Sequence, residues 1–168
     1  MSIRRIPAVA LVAVALVVAL VVIELVSGNG SEPRGRAAPG LPRQVLTPPR
    51  ETLASLRGHP VLINFWASWC GPCKREAKHL AALSRRLHGR AVLVGVDWND
   101  AASGARAFIR RYGWTFPNLR DGSGAVGNDF GLTGLPNSFV LDKRGRIVKV
   151  LIGPQTVADF ERALRTVE

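Results

Sequence analysis

The chain contains two cysteines, and both lie in Trp69-Cys70-Gly71-Pro72-Cys73. Two thiols at this spacing suit reversible dithiol–disulfide chemistry. At a helix start, Cys70 would face unpaired backbone N–H groups and the positive end of the helix dipole, and both stabilise a thiolate. Cys70 is therefore the expected nucleophile on a substrate disulfide. Cys73, one turn further in and less accessible, is the expected resolving thiol that releases the mixed disulfide. Pro72 falls in the first turn, where its missing N–H does no harm. Three other readings compete. A purely structural disulfide would close too short a loop to restrict the unfolded chain much. A metal site needs two more ligands, and His59, His79 and His88 have no ligand spacing to the pair. Covalent haem attachment needs a His directly after the second Cys, where this chain has Lys74.

The redox reading requires a strand–turn–helix context, and the flanking pattern supplies one. Val61–Phe65 is a short apolar run consistent with a strand buried on both faces. In Cys70–Leu87 the apolar residues Ala77, Leu80, Leu83 and Leu87 share one helical face, and basic residues fill the other. Ala91–Val96 reads as a second buried strand, and Ala105, Phe108, Ile109 and Tyr112 follow helical spacing. After Phe116-Pro117 the pattern assigns no element until Ser138–Leu141 and Arg146–Ile152. Those two strands are joined through Asp142-Lys143-Arg144-Gly145, good turn chemistry for a hairpin. Val157–Val167 closes as a helix, with Thr156 and Asp159 spaced as a capping box. Strands alternating with helices and ending in a hairpin imply a layered α/β domain with a mixed sheet.

The N-terminal residues differ sharply from the rest. Between Ala8 and Val26 all residues are Ala, Val, Leu or Ile except Glu24. As a helix, Ile6–Ile23 would span about 27 Å, close to the ~30 Å hydrocarbon core of a bilayer. Arg4 and Arg5 precede it, so residues 1–26 are expected to form a cytoplasmic N-terminus and membrane anchor that sends the remainder outward. A cleaved signal peptide, with Val26-Ser27-Gly28 as the small-residue site, is the competing reading. Residues 27–50 carry five prolines and four glycines with little apolar periodicity, and read as a linker. Residues 51–168 form the expected redox domain.

The formal net charge is +11. It splits as six Arg against two Glu in residues 1–50 and 17 basic against 10 acidic residues beyond. No phosphate-cradling glycine loop, zinc finger or basic stripe interleaved with aromatics accompanies it, so nucleic acid is not an expected partner. A solvated basic face is the simpler account.

The run Val61-Leu-Ile-Asn-Phe-Trp-Ala-Ser-Trp-Cys-Gly-Pro-Cys-Lys74 resembles the active-site signature of the thioredoxin superfamily. More narrowly, the chain resembles the membrane-anchored thiol–disulfide oxidoreductases of the TlpA/ResA/DsbE type, which reduce extracytoplasmic disulfides, often in cytochrome c maturation. The likeness extends from about Leu53 to Gly153, through Val94-Gly-Val-Asp97, Tyr112-Gly113, Phe116-Pro117, Gly134-Leu-Pro136 and Ser138-Phe-Val-Leu-Asp142. It implies a thioredoxin-like fold, a central mixed β-sheet flanked by helices. The long Cys73–Pro136 interval implies the central insertion of the TlpA/ResA type.

The resemblance also implies roles. Pro136 matches the cis-proline that faces the disulfide, and Leu135 before it would offer backbone groups to an extended substrate. Gly71, Pro72 and the adjoining Trp69 would contribute to substrate docking, with Trp66 packing underneath. Asn64 stands where cytoplasmic thioredoxins keep a buried Asp, and an amide cannot titrate. Asp100 is then expected to handle the proton of Cys73, with Asp97 as fallback; for Asp100 an N-cap role is equally open. No cofactor is expected beyond the Cys70/Cys73 disulfide. The expected partners are client proteins with disulfides, apocytochrome c among them, and a membrane thiol reductant that recharges the pair.

Other activities remain in view. A general disulfide oxidase or isomerase would use the same two cysteines, although the Gly-Pro dipeptide is the one found in reducing thioredoxins. A thiol peroxidase of the peroxiredoxin type would want a Thr three residues before the attacking Cys, where Ala67 stands. A non-catalytic thioredoxin-like adaptor would not need the cysteines, Pro136 and the Gly-Pro pair intact.

Overall fold

The computed structural model describes residues 35–168, so the expected membrane-spanning segment lies outside the described residues. Among the described residues no helix is long and apolar enough to cross a membrane. In chain order the elements are β1 (Arg36–Ala37), β2 (Gln44–Thr47), β3 (Val61–Trp66), α1 (Gly71–Leu87), β4 (Val92–Trp98), α2 (Ala102–Tyr112), β5 (Asn118–Asp121), α3 (Ala125–Phe130), β6 (Asn137–Leu141), β7 (Arg146–Ile152) and α4 (Val157–Leu164). The strands form one seven-stranded sheet in the order β1-β7-β6-β3-β4-β5-β2. The β3–β4 and β4–β5 pairs are parallel and the others antiparallel, so the sheet is mixed, as the sequence pattern implies.

The apolar run Val-Leu-Ile-Asn-Phe-Trp lies at the centre because all six residues of β3 are buried. Alternation divides it between two layers. Leu62 and Trp66 face a core shared with α1, α2 and α4, and Val61, Ile63 and Phe65 face a second core closed by Phe130 of α3. In the first core Trp66 stacks on Phe108 at a centroid distance of 4.8 Å and meets Trp114 edge-on at 4.9 Å. In the second, Phe65, Phe130 and Phe139 contact one another at 5.1 to 5.6 Å. Gly95 of β4 is required by a close approach: a Cβ there would lie 2.0 Å from Asn118 Oδ1, the acceptor for Trp66 Nε1–H.

One expectation about order is corrected. Residues 27–50 were expected to be a linker, yet within them Arg36–Ala37 and Gln44–Thr47 are strands at the two opposite edges of the sheet. Their order comes from pairing. Arg36 and Ala37 pair with Ile147 and Arg146, and β2 pairs with Asn118–Arg120 of β5. The stretch without an assigned element after Phe116-Pro117 holds β5 and α3. The closing helix ends at Leu164, three residues before the expected Val167, and the Thr156–Asp159 capping box is present in both directions.

Candidate active site

Buried β3 runs directly into the cysteine motif. The Cys70 N–H donates to Ala67 O at 3.2 Å, turning the chain onto α1. Cys70 is the N-cap of α1 with extended backbone, and its Sγ accepts the Cys73 N–H at 3.1 Å. That places its sulfur at the unpaired N–H end of a 17-residue helix, the environment that favours a thiolate. The two sulfurs are joined in a disulfide. Cys70 is 5% exposed and Cys73 2%. The order of access is as expected, and both residues are largely buried. Gly71 is exposed and Pro72 half-buried beside them.

The Leu135–Pro136 peptide bond is cis. Asn137 pairs with Phe65, so Pro136 arrives at the sheet end from which Ala67–Cys70 depart. The Pro136 carbonyl accepts the Gly153 N–H at 2.9 Å, and half-buried Leu135 packs against both cores. Trp66 is fully buried, whereas Trp69 is 56% exposed, with its Nε1–H donating to Asn99 O. The two indoles thus divide as the sequence suggests, one beneath the site and one on its surface.

The acidic residues are arranged differently from the expectation. Asp100 Oδ2 accepts the Ser68 N–H at 2.6 Å, and Oδ1 accepts the Ala101 N–H at 2.7 Å. Both oxygens are therefore engaged with backbone, and Asp100 ties the segment before Cys70 to the start of α2. It is not the N-cap, which is Ala101. Asp97 is fully buried on β4 opposite Trp66. Burial first, and then the neighbouring Asp100 charge, push its pKa up to about 8, against the partial relief of the Arg120 guanidinium at 3.7 Å.

A further acid went unrecognised in the sequence. Glu76 lies three residues after Cys73 on the inner face of α1 and is buried. Its Oε2 accepts from Asn64 Nδ2 and its Oε1 from the Gln155 N–H, each at 2.9 Å. Asn64 Nδ2 also donates to Ser138 Oγ at 2.9 Å. Asn64 is thus a core amide linking β3, α1 and β6. Burial pushes the Glu76 pKa up to about 7, outweighing the two hydrogen bonds that lower it. In the sequence Glu76 looks like the residue that interrupts the basic run Lys74-Arg75 and Lys78. Its place on the Cys73–Ala77–Leu80 face was the available signal.

The family model for redoxin matches residues 37–164. The chain belongs to the redoxin family. This redoxin is 30% identical over 134 residues to the thiol-disulfide oxidoreductase ResA of Bacillus thuringiensis (strain Al Hakam), covering 79% of the chain and 78% of that protein. It is 31% identical over 133 residues to the thioredoxin-like protein YneN of Bacillus subtilis (strain 168), covering 77% and 78%. Among solved structures, the thiol:disulfide interchange protein of the thioredoxin family from Chlorobium tepidum TLS superposes with a TM-score of 0.71 at 26% identity. That match covers 80% of this redoxin and 97% of the other chain. The fold is thioredoxin-like, and the activity of this redoxin is thiol–disulfide oxidoreduction through Cys70 and Cys73.

Proposed function

We propose that this redoxin reduces disulfides in client proteins outside the cytoplasmic membrane, held there by its N-terminal apolar segment. Apocytochrome c is the foremost candidate client, and a membrane thiol reductant recharges the pair. The observation that carries the reading is the redox pair at the head of α1, with Cys70 Sγ at the N-cap. The apolar block Ala8–Val26 behind Arg4 and Arg5 supports the location. The Gly71-Pro72 dipeptide supports the reducing direction.

In the reduced enzyme the Cys70 thiolate attacks one sulfur of the client disulfide. A Cys70–client bond forms, and the client's other sulfur leaves as a thiolate. Cys73 then loses its proton and attacks Cys70 Sγ, which restores the Cys70–Cys73 disulfide and frees the second client thiolate. Two electrons pass to the client. Glu76, one turn beyond Cys73 and with its pKa lifted to about 7, accepts the Cys73 proton in this reading, in place of Asp100. Leu135, Pro136 and exposed Trp69 guide the client strand, with Gly71 and Pro72 forming the floor beneath it.

The test is Cys73→Ser, which removes the resolving thiol. A reductant-sensitive client adduct at Cys70 is expected in membrane extracts, and it should vanish when Cys70→Ser is added. If no adduct forms, and Cys70→Ser cells behave as wild type, the proposal fails. The identity of the trapped protein decides between apocytochrome c and a broader set of clients.

A further inference from the structure

Beside the disulfide, on the side of α2, a cleft of about 370 Å³ opens between α1 and α2. Its lining includes Ser68, Lys74, Gly104, Phe108, Arg111 and Tyr112. Ser68 lies two residues before Cys70, and Lys74 directly follows Cys73, so the cleft shares the turn that carries the redox pair. Its position is fixed by close packing. Gly104 brings α2 so near that a Cβ would lie 2.7 Å from Ser68 Oγ, and Asp100 holds the Ser68 N–H at 2.6 Å.

The chemistry of the walls is specific. Lys74 and Arg111 are exposed, and neither makes an ion pair among the described residues. The Arg111 guanidinium sits 6.0 Å from the centre of the Tyr112 ring, which holds it over an apolar wall. Buried Phe108 and half-buried Tyr112 give the cleft an apolar wall on one side, while its cations stay open to solvent. Exposed Arg75, Lys78 and Arg110 lie on the same two helices and add to an attractive field for anions. Exposed Trp69 directly follows Ser68 in the chain, so an exposed indole and the cleft lining succeed one another along the same turn. A run of this kind suits a polypeptide better than a small molecule.

We propose that this cleft is a specificity subsite that binds acidic side chains of the client polypeptide next to its reacting disulfide. The inference rests on the reading that the enzyme acts on polypeptide disulfides, and it adds a preference by charge. The Lys74 ammonium and the Arg111 guanidinium grip the carboxylate from either side, and Ser68 Oγ–H supplies a third donor.

The experiment uses the reduced full-length protein and two synthetic disulfide peptides, one with Asp and Glu flanking its cysteines and one with Asn and Gln. The rate constant for peptide reduction is measured for each, and the acidic-to-neutral ratio is compared between wild type and Arg111→Gln. Both peptides meet the same Cys70, so a change in its reactivity multiplies both rate constants and cancels in the ratio. A wild-type ratio well above one is expected. It should fall about two- to fivefold in Arg111→Gln, as for loss of one solvent-accessible ion pair, and shrink in high salt. A ratio near one, or one that Arg111→Gln leaves unchanged, overturns the subsite while the oxidoreductase reading stands. If neither peptide is reduced, the oxidoreductase reading and the subsite fall together. A dependence on Arg111 seen with oxidised glutathione but not with the acidic peptide would assign the cleft to a small anionic thiol and overturn the proposal.

Discussion

Glu76→Gln is the perturbation whose consequence is worked most directly from the structure. The Glu76 pKa stands at about 7 in the folded protein against 4.5 for the free group. The folded state therefore binds the proton more tightly than the unfolded chain. The group's favourable contribution is full below pH 4.5 and is lost progressively as pH rises through 7. A shift of this size corresponds to about 3 kcal/mol across that window, a sizeable part of the ~5–15 kcal/mol that holds a typical domain together. The replacement amide cannot titrate, and its neighbours can adapt to it. Asn64 Oδ1 has no hydrogen-bond partner, so turning the Asn64 amide over presents an acceptor to the new NH₂ group. Ser138 Oγ, now an acceptor, can then donate to the same oxygen. The Gln155 N–H keeps its carbonyl-type acceptor. Urea unfolding of the oxidised protein between pH 4.5 and 8 reads the effect. Asp97, whose pKa stands at about 8, titrates across an overlapping window, so the difference between variant and wild type isolates Glu76. The variant should match wild type near pH 4.5 and exceed it by up to about 3 kcal/mol near pH 8. Parallel pH profiles for the two proteins would refute the argument.

Two further variants test the scaffold. Asp100→Ala strips the acceptors from the Ser68 and Ala101 N–H groups and should lower stability by about 1–3 kcal/mol in thermal or urea unfolding. It should also slow client reduction, because Ser68 is no longer tied to α2. Gly95→Ala drives a methyl group onto Asn118 Oδ1 and breaks its hydrogen bond with Trp66 Nε1–H. The expected loss is about 1–3 kcal/mol, with a change in near-ultraviolet circular dichroism from Trp66.

What the sequence displays most openly is whatever rests on local pattern. The all-apolar β3, the amphipathic α1, the Asp142–Gly145 hairpin turn and the Thr156–Asp159 capping box are each written into adjacent residues, and each is found in place. The edge strands are not local in this sense. Arg36–Ala37 is too short and polar to read as a strand, and it becomes one only because Ile147 and Arg146 lie alongside. β5 has a similar origin: Asn118 can be buried because Phe116 O accepts its Nδ2–H while its Oδ1 accepts from Trp66. α3 is six residues long, bounded by Gly124 and Gly131 at positive φ, and too short to show a helical period. At the site, the cysteines are legible by type and spacing, and Pro136 through the resemblance to thioredoxins. Glu76 was obscured by its basic neighbours, since its burial depends on Asn64 and Gln155 arriving from distant segments.

The edge strands have a consequence for the order in which the molecule can assemble. β1 finds its partner only at Arg146–Ile147, and β2 finds its own only at Asn118–Arg120. A chain delivered N-terminus first therefore carries two strands that stay unpaired until most of the domain has followed. Closing such large loops is slow, so docking of residues 36–47 belongs late in folding, after β3, β4 and β6 have formed the centre. Until then both flanks of the sheet present bare N–H and C=O groups, and neighbouring chains can join there edge to edge. The strand that opens the sheet in chain order is, on this view, its closing clasp.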